Sequence, residues 1–322
     1  MRRRSIRETA HIVNMHHSPS NPPATPYRGR FAPTPSGPLH LGSLLTATAS
    51  YLQARSMSGQ WLLRIDDLDQ PRCVPGIDSQ ILRQLERHGL HWDASPRYQR
   101  RHLDEYQSAL ATLEQHSRLY ACRCTRAQLQ HSAHDGPDGP VYPGTCRDLD
   151  LPHAGHALRL RIAEGQLQFV DAWQGLQVRN AAHEIGDFTV RRADAVIGYQ
   201  LACAVDEHAQ CITEVVRGAD LLGSTFRQLQ VMAALEFAPP QYRHLPVLLD
   251  ARGLKLSKQN HADPLDERKP GANLARCLQW LGQQPPVSLL SASAQEVLNW
   301  GVAHWRSDAV ATVRHPTVEG AH

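Results

Sequence analysis

The sequence contains little lysine and carries almost no excess charge of either sign. Only three of its 34 basic residues are lysine, and its formal net charge is +3. This weakly basic balance permits an RNA partner without requiring one. Because most of the basic residues are arginine, we expect forked contacts to phosphate and carboxylate groups.

Long apolar runs are also missing, which excludes a membrane-spanning helix. No run approaches the ~20 residues needed to cross a bilayer, and no apolar segment follows the basic start Met1–Arg4, so we expect no secretory signal. Seven unevenly spaced cysteines exclude a complete disulfide framework and favour reduced thiols. The sequence therefore predicts a cytoplasmic protein without membrane contact, which we expect to be a monomer.

The composition divides the chain into three predicted segments. Residues 1–27 combine a basic start with a proline-rich stretch at 18–23, which predicts a disordered extension. Residues 28–262 predict the main folded domain, with an insertion at about 97–190, and residues 263–322 predict a short helical tail. With 41% hydrophobic and 20% charged residues, the chain can build a folded core.

The order of apolar segments predicts a doubly wound parallel sheet of the α/β class. Short apolar runs typical of buried strands lie at 28–32, 61–65, 158–172, 197–205, 213–216 and 245–249. Apolar positions at helical spacing predict helices at 42–55, 77–88, 103–119 and 225–235. Strand, glycine turn, helix and strand follow one another as in a βαβ unit, which is the basis of this interpretation.

A glycine turn after the first predicted strand indicates a phosphate-binding site. The turn contains His40-Leu41-Gly42-Ser43, and it matches neither a P-loop nor a GxGxxG motif. A glycine at the start of a helix lets an anion approach backbone N–H groups, and the helix dipole favours negative charge there. The His40 side chain can donate a hydrogen bond to a phosphate as charge builds in a transition state.

Two lysines predict a second contact to phosphate. Lys255 and Lys258 flank Leu256 and Ser257 in a predicted loop, and Lys258 would neutralise pyrophosphate as it leaves. Each motif alone is usually an ordinary turn or a solvated basic loop, so the interpretation depends on finding both.

In this order the two segments resemble the signature motifs of the class I aminoacyl-tRNA synthetases. The segment from Arg30 to Gly42 is similar to the opening of the glutamyl/glutaminyl branch of that family. The resemblance extends from about Arg28 to Asn260 and includes the segments 64–69, 199–202 and 212–222. It implies that residues 28–262 form a Rossmann-like class I catalytic domain of a ligase-type enzyme that activates glutamate with ATP. Mg²⁺ is expected to accompany the ATP, bound mainly through its phosphates.

The resemblance also implies roles for individual residues in the reaction. Those implied in ATP binding are His40, Gly42, Ser43 and Lys258. Those implied in catalysis are His40, Lys255 and Lys258.

A glutamate substrate requires a planar cation for its side-chain carboxylate and an anion for its ammonium group. Arg30 and Arg217 each lie beside a predicted strand near the same edge, and the resemblance assigns the carboxylate to them. An interstrand ion pair is the alternative role of these arginines. Asp66 occupies a position where the family has glutamate, and the resemblance implies that this residue binds the substrate ammonium group. Because the aspartate side chain is one methylene shorter, we expect a longer or water-mediated contact. The complete expected glutamate-binding set is Arg30, Phe31, Ala32, Pro33, Thr34, Asp66, Tyr199 and Arg217.

Three cysteines in the predicted insertion favour one structural Zn²⁺. Cys122, Cys124 and Cys146 have two close thiols and one distant thiol, a spacing that suits a tetrahedral site. The resemblance points to Tyr142 as the fourth ligand. A phenolate is an unusual ligand, so other candidates remain open: His131, His134 and Asp148.

The stretch after Asn260 predicts helices at 275–281 and 294–303, and we expect no anticodon-binding domain there. Truncated relatives in this branch are the glutamyl-Q tRNA(Asp) synthetases. That likeness implies activation of glutamate without tRNA, and then transfer to the queuosine base in the anticodon loop of tRNA(Asp).

Other functions remain as alternatives, because no residue pattern displays recognition of queuosine. The nearest is a minimal glutamyl-tRNA synthetase that charges a tRNA 3′ end. The others are a non-catalytic RNA-binding paralogue and a small-molecule nucleotidyltransferase.

Overall fold

The structure is a computed structural model that describes residues 26–249 and 265–311. Within these ranges the strands are β1 (Arg28–Phe31), β2 (Gln60–Ile65), β3 (Arg97–Tyr98), β4 (Leu119–Cys122), β5 (His134–Gly136), β6 (Gly139–Val141), β7 (Ala157–Leu160), β8 (Gln166–Asp171), β9 (Gly175–Asn180), β10 (Phe188–Arg191), β11 (Glu214–Gly218) and β12 (Gln241–Leu245). The α-helices are α1 (Leu41–Ser56), α2 (Ile77–Arg87), α3 (Leu103–Gln115), α4 (Arg126–Ser132), α5 (Tyr199–Ala209), α6 (Leu222–Ala234), α7 (Pro270–Trp280), α8 (Ala294–Ala303) and α9 (Ser307–Ala311).

The centre of the fold is parallel, as the alternation of strands and helices predicts. Strands β1, β2 and β3 pair in parallel, and so do β11, β12 and β8, with β9 antiparallel at the edge. The two sheets adjoin at β1 and β11, where the backbone N–H of Thr213 donates to the carbonyl of Arg28 at 3.0 Å. The strand order therefore reverses between β1 and β11, and a crevice opens at their carboxyl ends.

Helix α1 links β1 to β2 and is buried on more than one side. Its Leu, Ala and Thr residues carry no charge before Arg55, so the helix can pack against the sheet on one side and against other helices on another. This burial holds the beginning of α1 beside the crevice.

The C-terminal helices share one hydrophobic core with α1. Leu274 and Leu278 of α7 and Val297 of α8 are buried in the same cluster as Leu52 of α1. A Cβ added at Gly301 would lie 3.0 Å from a methyl group of Leu52, so this glycine permits the close approach. Helix α8 has the predicted bounds, and α7 begins earlier than predicted.

The predicted insertion, at about 97–190, contributes strands to each of the four sheets of the described residues. Strands β10, β7 and β4 form an antiparallel sheet, and β5 and β6 form a short hairpin. Strand β8, from the same segment, extends the parallel sheet beside β12. Within the described ranges, no helix is long and apolar enough to cross a membrane.

Two predicted strands are wrong. Residues 197–205, predicted as a strand, lie largely in α5, which packs against α3 and α6. The run from Leu201 to Val205 is apolar at every position, so it shows neither a period of 2 nor one of 3.6. The strand predicted at 245–249 instead ends at Leu245. The observed strand, β12, contains the polar residues Arg243 and His244, so its sequence does not look like a buried strand. Hydrogen bonds within the protein satisfy both side chains.

Candidate active site and cysteine cluster

A pocket of about 320 Å³ opens at the carboxyl ends of β1 and β11. It brings together ten of the residues that the sequence analysis selected. These are Arg30, Phe31, Ala32, Pro33, Thr34, His40, Gly42, Ser43, Tyr199 and Arg217. Lys255 and Lys258 lie outside the described residues.

His40 is the N-cap residue of α1. Its Nδ1 accepts hydrogen bonds from the backbone N–H groups of Gly42 (3.1 Å) and Ser43 (3.4 Å). A neutral imidazole with Nδ1 as an acceptor carries its proton on Nε2. The capping contact therefore gives this histidine a donor suited to a phosphate oxygen, at the positive end of a helix dipole.

Arg30 on β1 lines the pocket and is also ion-paired. Its Nη2 lies 2.8 Å from Oε1 of Glu207 on α5, and its Nη1 donates to the carbonyl of Val216 at 3.2 Å. The side chains of both Arg30 and Glu207 are buried. A carboxylate of the protein therefore already neutralises the charge of Arg30.

Arg64 on β2 lines the same pocket, although the sequence analysis did not select it. Its Nε and Nη2 hold the two oxygens of Asp66 at 2.7 and 3.3 Å, and Nη2 also contacts Sγ of Cys203 at 3.2 Å. Its buried Nη1 makes no hydrogen bond to any described residue, although Glu207 lies 3.9 Å away. An arginine inside the apolar run 61–65 was the signal that could have revealed it.

Asp66 does not line the pocket, unlike the other described residues of the expected glutamate-binding set. Burial raises the pKa of this carboxyl group, and the neighbouring Arg64 opposes that shift. The two oxygens of the carboxylate face Arg64 in a bidentate pair. The described arrangement therefore holds this carboxylate as a partner of arginine.

Arg217 on β11 is buried in a different environment. Its Nε donates to Nε2 of His244 on β12 at 3.0 Å, and its Nη2 donates to Oγ1 of Thr225 at 2.8 Å. Its Nη1 is buried and has no hydrogen-bond partner among the described residues. Asp171 at the end of β8 lies 2.6 Å from Nδ1 of His244. Sequence analysis missed this aspartate and this histidine, and no motif marked them.

Tyr199 begins α5 and stands at the edge of the pocket with 39% of its surface exposed. It is placed there by Gly198, whose N–H donates to the carbonyl of Val190 at 2.8 Å. A Cβ at Gly198 would lie 2.7 Å from the carbonyl oxygen of Thr189, so only glycine permits this approach to β10.

The three predicted cysteines converge in the insertion. Cys122, Cys124 and Cys146 place their sulfur atoms within 4.8 Å of one another. The Tyr142 hydroxyl lies 3.5 Å from Sγ of Cys122 and 3.7 Å from Sγ of Cys124, and it accepts the N–H of Cys146 at 2.8 Å. Burial would raise the pKa of the Cys122 thiol, but its hydrogen bonds with Tyr142 and Arg159 outweigh burial and lower the pKa to about 7.

The other candidates for a fourth ligand are directed elsewhere. His131 bonds the carbonyl of Ala127 at 2.7 Å, and His134 bonds that of His183 at 2.8 Å. The Asp148 side chain is 91% exposed. Within the described part of the chain, no histidine or carboxylate joins the group of three sulfur atoms, so Tyr142 is the neighbour with the best placed oxygen.

Comparisons with known proteins show the family of this chain. Residues 27–269 match the family model of the class I tRNA synthetases (E and Q), catalytic domain. A glutamyl-Q tRNA(Asp) synthetase of Chromobacterium violaceum is 50% identical over 87% of this chain and 93% of its own length. One of Aromatoleum aromaticum is 47% identical over 88% and 90%.

Solved structures show the same fold. A glutamate tRNA ligase from Elizabethkingia meningosepticum, solved in complex with its amino acid, matches with a TM-score of 0.75 at 23% identity. The match covers 91% of this chain and 67% of that one. The resemblance predicted from the sequence motifs is confirmed. The chain belongs to the glutamyl-Q tRNA(Asp) synthetases, within the glutamate and glutamine branch of the class I tRNA synthetases.

Proposed function

We propose that this protein activates L-glutamate with ATP and transfers the glutamyl group to the queuosine base in the anticodon loop of tRNA(Asp). One observation carries the proposal. One pocket at the β1–β11 crevice contains a histidine that caps a helix, which suits phosphate. It also contains a buried arginine with an N–H group that no described residue accepts, which suits carboxylate. Both substrates of an adenylate-forming reaction therefore have chemically matched partners within one site.

Arg217 provides the principal contact to the glutamate side chain. Its buried Nη1 lacks a partner within residues 26–249 and 265–311, and a carboxylate is the strongest acceptor for such a group. Arg30 lines the pocket from β1 with its charge balanced by Glu207, and Nη1 of Arg64 offers a further donor to the substrate. Tyr199 adds a hydroxyl group at the pocket edge. Asp66 can contact the ammonium group only through water or after releasing Arg64, because both its oxygens face that guanidinium.

The first reaction step forms glutamyl-adenylate. A glutamate carboxylate oxygen attacks the α-phosphorus of ATP, the bond to the bridging oxygen breaks, and pyrophosphate leaves. His40 donates to the phosphate as charge develops, with Gly42 and Ser43 at the same helix end. Lys258, aided by Lys255, neutralises the leaving pyrophosphate. Mg²⁺ accompanies ATP and reduces the charge on its phosphates. In the second step the acceptor oxygen attacks the acyl carbon and AMP leaves.

The cysteine cluster suits one structural Zn²⁺. Three thiols within 4.8 Å and an adjacent phenol oxygen match a four-coordinate site of Cys122, Cys124, Tyr142 and Cys146. Such a clip would stabilise a segment of short strands that contains little apolar core of its own.

The acceptor is assigned from the relatives, which are named for tRNA(Asp). The test is transfer of radiolabelled glutamate, with ATP, to tRNA(Asp) that carries or lacks queuosine. Each RNA is also prepared without its 3′-terminal adenosine. We expect labelling of the queuosine form alone, retained when the 3′ adenosine is missing.

Other outcomes would replace the proposal. Label on tRNA(Glu) that depends on the 3′ adenosine would indicate a minimal glutamyl-tRNA synthetase. An absence of both label and glutamate-dependent pyrophosphate exchange would indicate a non-catalytic RNA-binding protein. Lys258→Ala tests the phosphate site separately, since it should abolish pyrophosphate exchange while the melting temperature is unchanged.

A further inference from the structure

A buried chain of hydrogen bonds runs from the β8–β9 turn to the pocket. It begins at Asp171, passes through the imidazole of His244 and ends at the Arg217 guanidinium. The exposed fractions of these three residues are 1%, 0% and 4%. Their atoms are therefore held by the protein and not by solvent.

The carboxylate at the start of this chain has a fixed orientation. Oδ1 of Asp171 accepts the backbone N–H groups of Trp173 (3.0 Å), Gln174 (2.9 Å) and His244 (3.2 Å). Its other oxygen, Oδ2, faces Nδ1 of His244 at 2.6 Å. Burial would raise the pKa of this carboxyl group, but these hydrogen bonds lower it, so the group is an anion that accepts the Nδ1 proton.

The tautomer of His244 follows from its two neighbours. Since Nδ1–H donates to Asp171, Nε2 of the neutral ring must be an acceptor, and Nε–H of Arg217 meets it at 3.0 Å. Burial lowers the pKa of this histidine, which favours the neutral ring. The hydroxyl of Thr225 lies 3.2 Å from the same Nε2 and accepts Nη2–H of Arg217 at 2.8 Å.

These contacts occupy two of the three nitrogen atoms of the guanidinium. Nε is held by His244, and Nη2 is held by Thr225 together with the carbonyl of Leu221 at 3.4 Å. Nη1 is left buried, in a residue that lines the pocket, with no partner in the part of the chain that the structure describes. A buried donor without an acceptor destabilises the unliganded protein, so a ligand is its expected partner.

We propose that His244 and Asp171 are positioning residues, which orient the Arg217 guanidinium so that its Nη1 edge receives the side-chain carboxylate of the substrate. This inference rests on the proposed function, because it assumes that Arg217 binds that carboxylate. Asp171 sets the tautomer of His244, and His244 presents an acceptor to Nε. A guanidinium that is fixed before binding loses less freedom when the substrate arrives.

The test measures pyrophosphate exchange by the full chain at varied glutamate and at varied ATP. His244→Phe keeps a ring in the site but removes the acceptor for Nε of Arg217. It should raise KM for glutamate about 10- to 100-fold, while KM for ATP changes less than about 2-fold. His244→Gln returns an acceptor near the position of Nε2 and should restore much of the affinity for glutamate. Asp171→Asn, which favours the other tautomer, should resemble His244→Phe.

His88→Phe is the matched control. His88 is also fully buried and hydrogen-bonded, to the carbonyl of Gln84 at 2.7 Å and to Asn273 at 3.2 Å, but it lies outside the pocket. It should lower the melting temperature without changing KM for glutamate. A second readout compares glutamate with glutamine, because weaker orientation of the guanidinium should reduce the preference for the charged substrate.

The outcomes separate the inference from the proposed function. Wild-type protein without glutamate-dependent exchange would overturn both. Active wild-type protein, together with an unchanged KM and an unchanged glutamate preference in folded His244→Phe or Asp171→Asn, would overturn the positioning role alone. If His244→Phe does not fold, folded Asp171→Asn and Thr225→Val decide. Thr225→Val removes the hydroxyl that accepts from Nη2 and contacts Nε2 of His244, and it should raise KM for glutamate by several-fold.

Discussion

The two sides of the pocket each contribute a buried arginine, but they satisfy its charge in different ways. On the β1 side, Arg30 meets the Glu207 carboxylate at 2.8 Å, and Arg64 on the adjacent strand meets Asp66 at 2.7 Å. On the β11 side, Arg217 meets an imidazole, a hydroxyl and a carbonyl. Across residues 26–249 and 265–311, no carboxylate lies within 4.0 Å of the Arg217 nitrogens.

This difference indicates that the arginines on the β1 side support the fold and that Arg217 on the β11 side binds the ligand. An ion-paired arginine is satisfied before a substrate arrives, and removing it would leave a buried carboxylate unpaired. A buried arginine whose partners are all neutral keeps its charge available to an anion, at some expense of stability. The β1 side should therefore be sensitive to substitution mainly in stability, and the β11 side mainly in activity.

The largest expected effect follows from removing the unneutralised cation. Arg217→Gln should lower kcat/KM for glutamate about 10²- to 10³-fold in pyrophosphate exchange, because it removes a buried charged contact to the substrate. The free energy of unfolding of the unliganded protein should stay within about 1 kcal/mol of wild type, since no carboxylate is left unpaired. Denaturation in urea without substrates measures the second quantity. Equal losses of stability and activity would remove the distinction between the two sides.

Arg30→Gln should show the opposite balance. Among the described residues, it leaves the buried Glu207 with one cationic neighbour within 4.0 Å, Arg64 at 3.9 Å. We expect a loss of about 3 kcal/mol in the free energy of unfolding. Arg55→Gln is the control, because its pair with Asp93 is partly exposed and should contribute less than about 1 kcal/mol. A mutant as stable as the control would mean that the Arg30–Glu207 pair does not support the fold.

Much of this site could be predicted from sequence because its residues stand in short continuous segments. Arg30 to Gly42 covers the end of β1, the turn and the cap of α1, so local spacing alone brings these residues to one edge of the sheet. The cysteine cluster was accessible for a similar reason, since thiols with that spacing have few other roles.

The residues that escaped prediction depend on contacts between distant segments. His244 and Asp171 lie on adjacent strands that are far apart in sequence, and neither belongs to a motif. Glu207 was missed because the apolar run 201–205 led to the prediction of a strand where the structure has α5. That prediction placed Glu207 at the end of a strand, whereas it lies on a helix. These contacts depend on how the strands pair and how α5 packs. Neither can be predicted from the local pattern of a single sequence.

Metal removal provides a test that should affect neither side of the pocket. We expect one equivalent of zinc by elemental analysis, lost in Cys146→Ser and retained in Cys211→Ser, a matched change at an exposed thiol. Loss of the metal should lower the melting temperature by several degrees, because the cluster clips short strands together. KM for glutamate should change less than about 2-fold. A zinc-free wild type with the same melting temperature as Cys146→Ser would contradict the metal site.

The smallest expected effect is a pH dependence on the β11 side alone. The groups that face His244 are Asp171 from β8, Arg217 from β11 and Arg30 from β1, with Tyr242 stacked beside it on its own strand. Because burial lowers the pKa of His244, the ring stays neutral until the pH falls below about 6.5, its ordinary value. The lowered pKa of Asp171 keeps that carboxylate ionised over the same window.

Protonation of His244 would turn Nε2 into a donor that faces the Arg217 guanidinium. KM for glutamate should therefore rise by several-fold as the pH falls below about 6.5, and stability should fall in the same direction, because the unfolded chain binds the extra proton more readily. His244→Gln has no group that titrates there, so its KM should be flatter across this range. If KM for glutamate rises equally at low pH in wild type and in His244→Gln, another group is responsible for the titration. The two sides of the pocket would then not differ in their response to pH.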